Sequence, residues 1–243
     1  MSGHSHWAGI KHKKGLADAK RSKLFSKFAR ELTIAARQGG DPSINTVLRA
    51  IIEKAKDINM PSENITRAIK RGTGEETGAR LEEVLLEAYG PGGAALLIKG
   101  ITDNRNRMLG EVKQILARHQ GKLAEGGSVR WMFEQKGVII ISPNPEEGPA
   151  APKEELELAA IEAGAQDLYW HEDTMLDIYT IPTQLEETKK KLQERRFAIE
   201  DATLDWVPKE RIALDEQNKK IAQELFDALD ESEDVQEIYS NLK

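Results

Sequence analysis

Cysteine is absent from the 243 residues. That excludes a disulfide framework, a thiol nucleophile and a thiolate metal site, and it suits a reducing compartment. Aromatic residues make up only 5%, and no apolar run reaches the roughly 18 residues of a membrane span. The first residues lack the apolar stretch of a secretory signal, with Trp7 and Ile10 standing alone, so a cytoplasmic protein with no membrane partner is expected. Catalytic signatures are missing as well. There is no Gly-x-Ser-x-Gly elbow, His119 and His171 read as structural or surface side chains, and the pairs Glu154-Glu155 and Glu186-Glu187 have no apolar surroundings to raise a pKa. His4, His6 and His12 have no carboxylate or cysteine nearby at a familiar ligand spacing. The expectation is a protein with no catalytic residue, metal, cofactor or small-molecule substrate.

What the chain does have is a charge asymmetry. Residues 1–74 hold 15 Lys and Arg against 6 Asp and Glu, a net of +9, which leaves 20 against 35, a net of −15, for residues 75–243. The overall −6 averages two opposite ends. Such a body is repelled by polyanions over most of its surface and attracted at one place. Charged faces are most often merely solvated, but here the cations are grouped. On a helix over residues 18–38, Lys20, Lys23, Lys27, Arg30 and Arg37 share one face, while Leu24, Phe25, Phe28, Ala29, Leu32, Ala35 and Ala36 share another. One side packs on a core and an adjacent side shows positive charge to solvent. Residues 1–16 read as an arm, flexible when free, that carries Lys11, His12, Lys13 and Lys14. Within it Trp7 either stacks on an unpaired base or anchors the helix by packing.

Periodicity extends along the chain. Gly39-Gly40 ends the first helix, and Asp41 is placed to cap a second with Pro42 at its first position. Ile44, Val47, Leu48, Ile51, Ile52, Ala55 and Ile58 then form a stripe of the spacing of a buried helix face. A third helix runs from about Pro61 to Gly72, with Ile65, Ala68 and Ile69 inward. Gly72 to Gly78 lacks the spacing and terminal Lys-Ser or Lys-Thr of a phosphate loop and reads as a linker. Val84–Tyr89 and Ala94–Ile101 read as a hairpin around Gly90-Pro91-Gly92-Gly93, followed by a helix over Asn104–His119.

From Val129 the order is strand (138–142), helix (153–163), strands (167–170 and 175–181), helix (183–196) and strand (199–206), a ferredoxin-like βαββαβ unit. A helix over 215–229 and a strand near 235–239 follow, too few elements to make a core alone. The expected fold is therefore α+β, an N-terminal three-helix bundle (1–78) followed by two α/β domains. The middle domain is discontinuous (79–128 plus 209–243), and the ferredoxin-like unit (129–208) is inserted in it. The cluster Thr102-Asp103-Asn104-Arg105-Asn106-Arg107 opens a helix and supports two readings. Either Arg105, Arg107 and the amides hold a phosphate or RNA backbone, or Asp103 or Asn104 caps the helix and the arginines are solvated.

The residues also carry a resemblance. Gly3-His4-Ser5, Trp7-Ala8, Ile10-Lys11-His12, Asp18-Ala19-Lys20-Arg21, Ala35-Ala36-Arg37, Asn59-Met60-Pro61 and Arg67-Ala68-Ile69-Lys70-Arg71-Gly72 resemble the YebC/PmpR family. That family includes the mitochondrial translational activator of cytochrome c oxidase. The likeness continues through Tyr89-Gly90-Pro91-Gly92-Gly93, Thr102 to Arg107, Gly127-Ser128-Val129 and Trp131-Met132-Phe133. His6, Gly9 and Gln120 to Ala124 depart from the usual pattern, and the first of these removes a permanent cation at neutral pH. The resemblance implies three domains and a non-enzymatic regulator. Members are described as probable transcriptional regulators that bind DNA, and others as ribosome-associated translation factors acting at proline runs.

Residues and resemblance together lead to one expectation, a nucleic-acid-binding regulator of gene expression whose partner is DNA or ribosomal RNA. Its contacts would be Trp7, Lys11, His12, Lys13, Lys14, Lys20, Arg21, Lys23, Lys27, Arg30, Arg105 and Arg107. Lys and Arg on an exposed helix favour the phosphate backbone over base edges. The alternative is a scaffold that recruits a basic partner through its acidic α/β domains.

Overall fold

The computed structural model describes residues 18–143, 151–171 and 174–243. Helix α1 (Asp18–Ala36) buries Phe28, Leu32, Ala35 and Ala36, the face its spacing predicts. Asn45 then does two jobs: its amide donates to the carbonyls of Ala35 (2.9 Å) and Gly39 (2.8 Å), and its Oδ1 accepts from the Leu48 N–H at 3.0 Å. Asn45, not Asp41, is thus the N-cap of α2 (Thr46–Asp57). Asp41 instead accepts from the Ser43 N–H within the preceding turn. The α2 stripe also differs from expectation. Leu48 and Ala55 are buried, but Ile44, in the turn before the helix, is 82% and Val47 57% exposed; among the described elements α2 packs chiefly on α1 and α3, which cover part of its apolar face.

Helix α3 (Ser62–Thr73) ends at Gly74, whose left-handed backbone (φ 84°) suits glycine. It lies tight against α1. A Cβ at Gly72 would fall 2.4 Å from the Thr33 carbonyl oxygen and 2.6 Å from the Ala36 Cβ. The Thr33 hydroxyl hydrogen-bonds to the Ala29 carbonyl within α1 (2.7 Å) and to the Ala68 carbonyl across it (3.1 Å). Residues 74–81 leave the bundle without regular structure and are largely exposed.

Strands β1 (Glu82–Tyr89) and β2 (Ala95–Thr102) pair antiparallel with Val84 opposite Gly100 and Leu86 opposite Ile98. Helix α4 (Arg105–Arg118) follows, then β3 (Lys122–Leu123), a two-residue strand too short to leave a periodic signal. With β8 (Val235–Ser240) these strands form a sheet of order β3-β1-β2-β8. Helices α4 and α7 (Glu216–Asp230) cover one face through Met108, Val112, Leu116, Leu225 and Leu229 against Val84, Leu86, Leu96 and Ile98. Gly100 allows that approach, since a Cβ there would overlap the Met108 side chain.

The second sheet contains β4 (Phe133–Ile141), β5 (Asp167–His171), β6 (Met175–Thr180) and β7 (Ile199–Pro208), in the antiparallel order β5-β6-β4-β7. In chain order this is the 2-3-1-4 arrangement of a ferredoxin-like unit. Helices α5 (Lys153–Ala163) and α6 (Leu185–Glu194) supply Leu156, Ala160, Leu185 and Leu192 to a core with Ile139, Ile141, Leu176 and Ile178. Strand β4 begins five residues before its expected start because Glu134, Gln135 and Lys136, polar in sequence, pair in register with Val207, Trp206 and Asp205. The described chain divides into two compact units, residues 130–213 with 239–243 and residues 18–129 with 214–238. No described helix is long and apolar enough to cross a membrane.

Candidate nucleic-acid interface

The basic face of α1 does not look onto open solvent as its spacing suggests. Lys23, Lys27 and Arg30, at steps of four and three, meet the end of α7 and the turn that leads into β8. The Lys27 ammonium, on a residue only 6% exposed, lies 2.7 Å from an Asp230 carboxylate oxygen and donates to the Asp230 carbonyl at 2.9 Å. Lys23 pairs with the Glu231 carboxylate and donates to the Glu231 carbonyl at 3.2 Å. Arg30 pairs with Asp234, donates to the Ile101 carbonyl at 2.8 Å and lies 3.6 Å from Glu233. Helix α7 has no basic residue in its own last turn. Cations from α1 therefore meet the carbonyls and the negative dipole end that α7 leaves unsatisfied.

Asp234 is the centre of this arrangement. It is 4% exposed and accepts from Arg30, from the Thr102 hydroxyl (3.0 Å) and from Arg107 (3.1 Å). Arg107 also lies 2.6 Å from Asp103, holding that carboxyl below the usual range; Asp103, then Asp234, raises the guanidinium's pKa in return. The cap reading of the Thr102 to Arg107 cluster holds for Asn104, whose side chain accepts from the Arg107 N–H at 3.0 Å. Arg30 and Arg107 thus converge on one buried carboxylate, while Arg105 stands exposed at the first position of α4.

Of the remaining candidates, Arg21 is exposed on α1. Lys20 lies on the same helix, its side chain outside the described residues, and Trp7, Lys11, His12, Lys13 and Lys14 lie outside them altogether. Sequence reasoning missed the acids. Asp230, Glu231, Glu233 and Asp234 are four acids in five positions, a density complementary to the α1 row and the one signal that could have exposed the pairing.

The second unit holds a buried polar cluster of its own. His171 Nε2 lies 2.7 Å from Asp177, and the Tyr179 hydroxyl lies 3.2 Å from the same carboxylate oxygen. Arg211 donates to the Tyr179 oxygen at 2.8 Å and stacks on Tyr169. Burial pushes the Tyr179 phenol's pKa up, which keeps it neutral. Asp177 is fully buried, and its bonds to His171 and Tyr179, with Arg211 on Tyr179, tie β5, β6 and the segment after β7 together. Among the described residues no group of His, Asp and Glu is placed to hold a metal ion.

Known proteins share this architecture. A crystal structure of a conserved hypothetical protein from Aquifex aeolicus superposes with a TM-score of 0.85 at 43% identity, covering 98% of this chain and 97% of that one. A "probable transcriptional regulatory protein" of Halothermothrix orenii is 47% identical over 99% of this chain and 94% of its own length. A protein described in the same way from Thermoanaerobacter pseudethanolicus is 45% identical, over 100% and 97%. The model of the TACO1/YebC N-terminal domain matches residues 5–75, and that of the TACO1/YebC second and third domain matches residues 81–242. With both models matched in order along nearly its whole length, the chain belongs to the TACO1/YebC family.

Proposed function

We propose that this chain is a non-enzymatic, nucleic-acid-binding regulator of gene expression that grips phosphates with its basic N-terminal arm and α1. The observation that carries the reading is the segregation of charge, +9 over residues 1–74 against −15 over the rest. Relatives described as probable transcriptional regulatory proteins support it. The grip is on the backbone. Arm and helix offer mainly Lys and Arg, and such contacts position a protein on a polyanion without reading base edges. Shaped RNA, recognised by backbone geometry and unpaired bases, suits this surface at least as well as duplex DNA.

Co-sedimentation with purified ribosomes at near-physiological salt, with excess duplex DNA as competitor, tests the target. Retention of the protein that disappears in a Lys11→Ala/Lys13→Ala/Lys14→Ala variant assigns it to the ribosome. Release by the competitor assigns it to DNA. Failure to bind either one rejects the arm and α1 as a nucleic-acid surface, and binding whose salt dependence is unchanged in the variant rejects the arm. Each phosphate that the variant leaves unneutralised should flatten the salt slope on duplex DNA by about 0.9.

A further inference from the structure

The row Lys23, Lys27 and Arg30 presents the spacing of a phosphate-binding helix face, yet in the free protein its partners are carboxylates and helix-end carbonyls. We propose that the acidic corner of Asp230, Glu231 and Glu233 is a built-in competitor for the α1 phosphate site, displaced when a nucleic acid binds. The proposal rests on the reading that α1 grips nucleic acid and names the regulation of that same surface.

Three observations carry it. First, the corner imitates a polyanion: carboxylates and the C-terminal carbonyls of α7 lie within hydrogen-bond reach of Lys23 and Lys27. Second, the pairs are graded. Lys23 and Glu231 are 37% and 54% exposed at the side chain, so polyanion and salt reach that pair first; Lys27 at 7% is freed only when α1 parts from the 44% exposed Asp230, and Asp234 at 5% holds Arg30 and Arg107 from inside. Lys23 and Lys27 can exchange partners while Asp234 remains the pivot. Third, the bundle is joined to β1 by residues 74–81, an exposed segment without regular structure that side chains hold through Arg71 on Glu76 and Arg37 on the Leu81 carbonyl, so no helix or strand runs across the joint to fix α1 against α7.

Energetically, the corner acts as a tax on binding. A site whose competent state is populated only in part binds its ligand more weakly by that fraction. Removing the acids should therefore tighten binding and also recruit more cations to the phosphates. The gain exceeds what the removal of three negative charges gives through the general field, because Lys23 and Lys27 enter the contact.

The test compares the full-length protein with an Asp230→Asn/Glu231→Gln/Glu233→Gln variant, which leaves Asp234 in place. A Glu82→Gln/Glu83→Gln/Glu111→Gln variant of equal net charge is the control, its three acids being exposed on β1 and α4. Binding to a short duplex DNA and to a folded ribosomal RNA fragment is titrated over a range of salt. The corner variant should bind at least about threefold tighter than the control, with a salt slope on the duplex steeper by roughly 0.9 for each lysine recruited. Equal affinity and slope in the corner and control variants, with weaker binding by the Lys11→Ala/Lys13→Ala/Lys14→Ala variant, overturns the competitor and leaves the nucleic-acid reading standing. No effect of any of the three removes both. A second readout uses the unaltered protein: saturating duplex DNA should speed amide hydrogen exchange over residues 230–234, and unchanged exchange there in a complex that does form counts against displacement.

Discussion

A single carboxylate fastens three parts of the larger unit. Asp234 accepts from Arg30 on α1, Thr102 at the end of β2 and Arg107 on α4, so Asp234→Ala removes the shared acceptor of two guanidinium groups and a hydroxyl at once, leaving Arg30 the Ile101 carbonyl and Glu233, and Arg107 chiefly Asp103. Truncating one partner of a buried ion pair costs about 3 kcal/mol, and the urea midpoint of the full chain should fall accordingly. Asp103→Ala should move that midpoint far less, because its pair with Arg107 is half-exposed on both sides and lies within one helical turn. If the two substitutions destabilise equally, Asp234 is not the hub described. None of this was legible residue by residue. The cations of α1 could be read from their spacing, but their acidic partners lie 203 to 208 positions further along the chain, and a charged face reads the same whether water or a distant carboxylate meets it.

At the scale of elements, the closest approach in the bundle is α3 against α1 at Gly72. Gly72→Ala pushes a methyl group into the Thr33 carbonyl and the Ala36 side chain. Both are parts of a rigid helix, so the helices must separate, and overpacking of this kind costs about 2 kcal/mol. Thermal unfolding followed by helical circular dichroism should show the loss, whereas Gly110→Ala, where a Cβ meets nothing within 4 Å, should be neutral or slightly stabilising in its helix. Elements were the most legible level of the sequence. Period 3.6 placed the helices and period 2 the hairpin, because those patterns follow from burial of one face. Ile44 and Val47 defeat the rule, since periodicity records which residues share a face but not whether a neighbour is there to cover it. The start of β4 defeats it differently: Glu134 to Lys136 belong to a strand because β7 pairs with them, a long-range fact absent from their own composition.

The chain as a whole carries opposite charge in its two sequence segments, residues 1–74 and 75–243. A protein of pI about 5.6 is expected to adhere to anion exchangers at neutral pH, and the −15 of residues 75–243 should make it do so. It should also be retained by heparin, a polyanion, through the cations of residues 1–74 that Asp230, Glu231 and Asp234 do not pair, because at 0.15 M salt acids beyond the screening length of about 8 Å oppose that contact little. Flow through heparin at low salt would show that the body's negative field overrides the basic end.

The division of the chain has a consequence in time. The basic row of α1 leaves the ribosome early, while the acids that meet it, beyond the whole of residues 130–213, are still uncoded in peptide. At synthesis rates of about 5–20 residues per second, the interval before residues 230–234 are made is roughly 10–40 s. Throughout that interval a nascent chain holds its lysines bare beside the largest mass of RNA in the cell. Completion of the last helix and strand supplies Asp230, Glu231 and Asp234, the partners that the row meets in the folded chain.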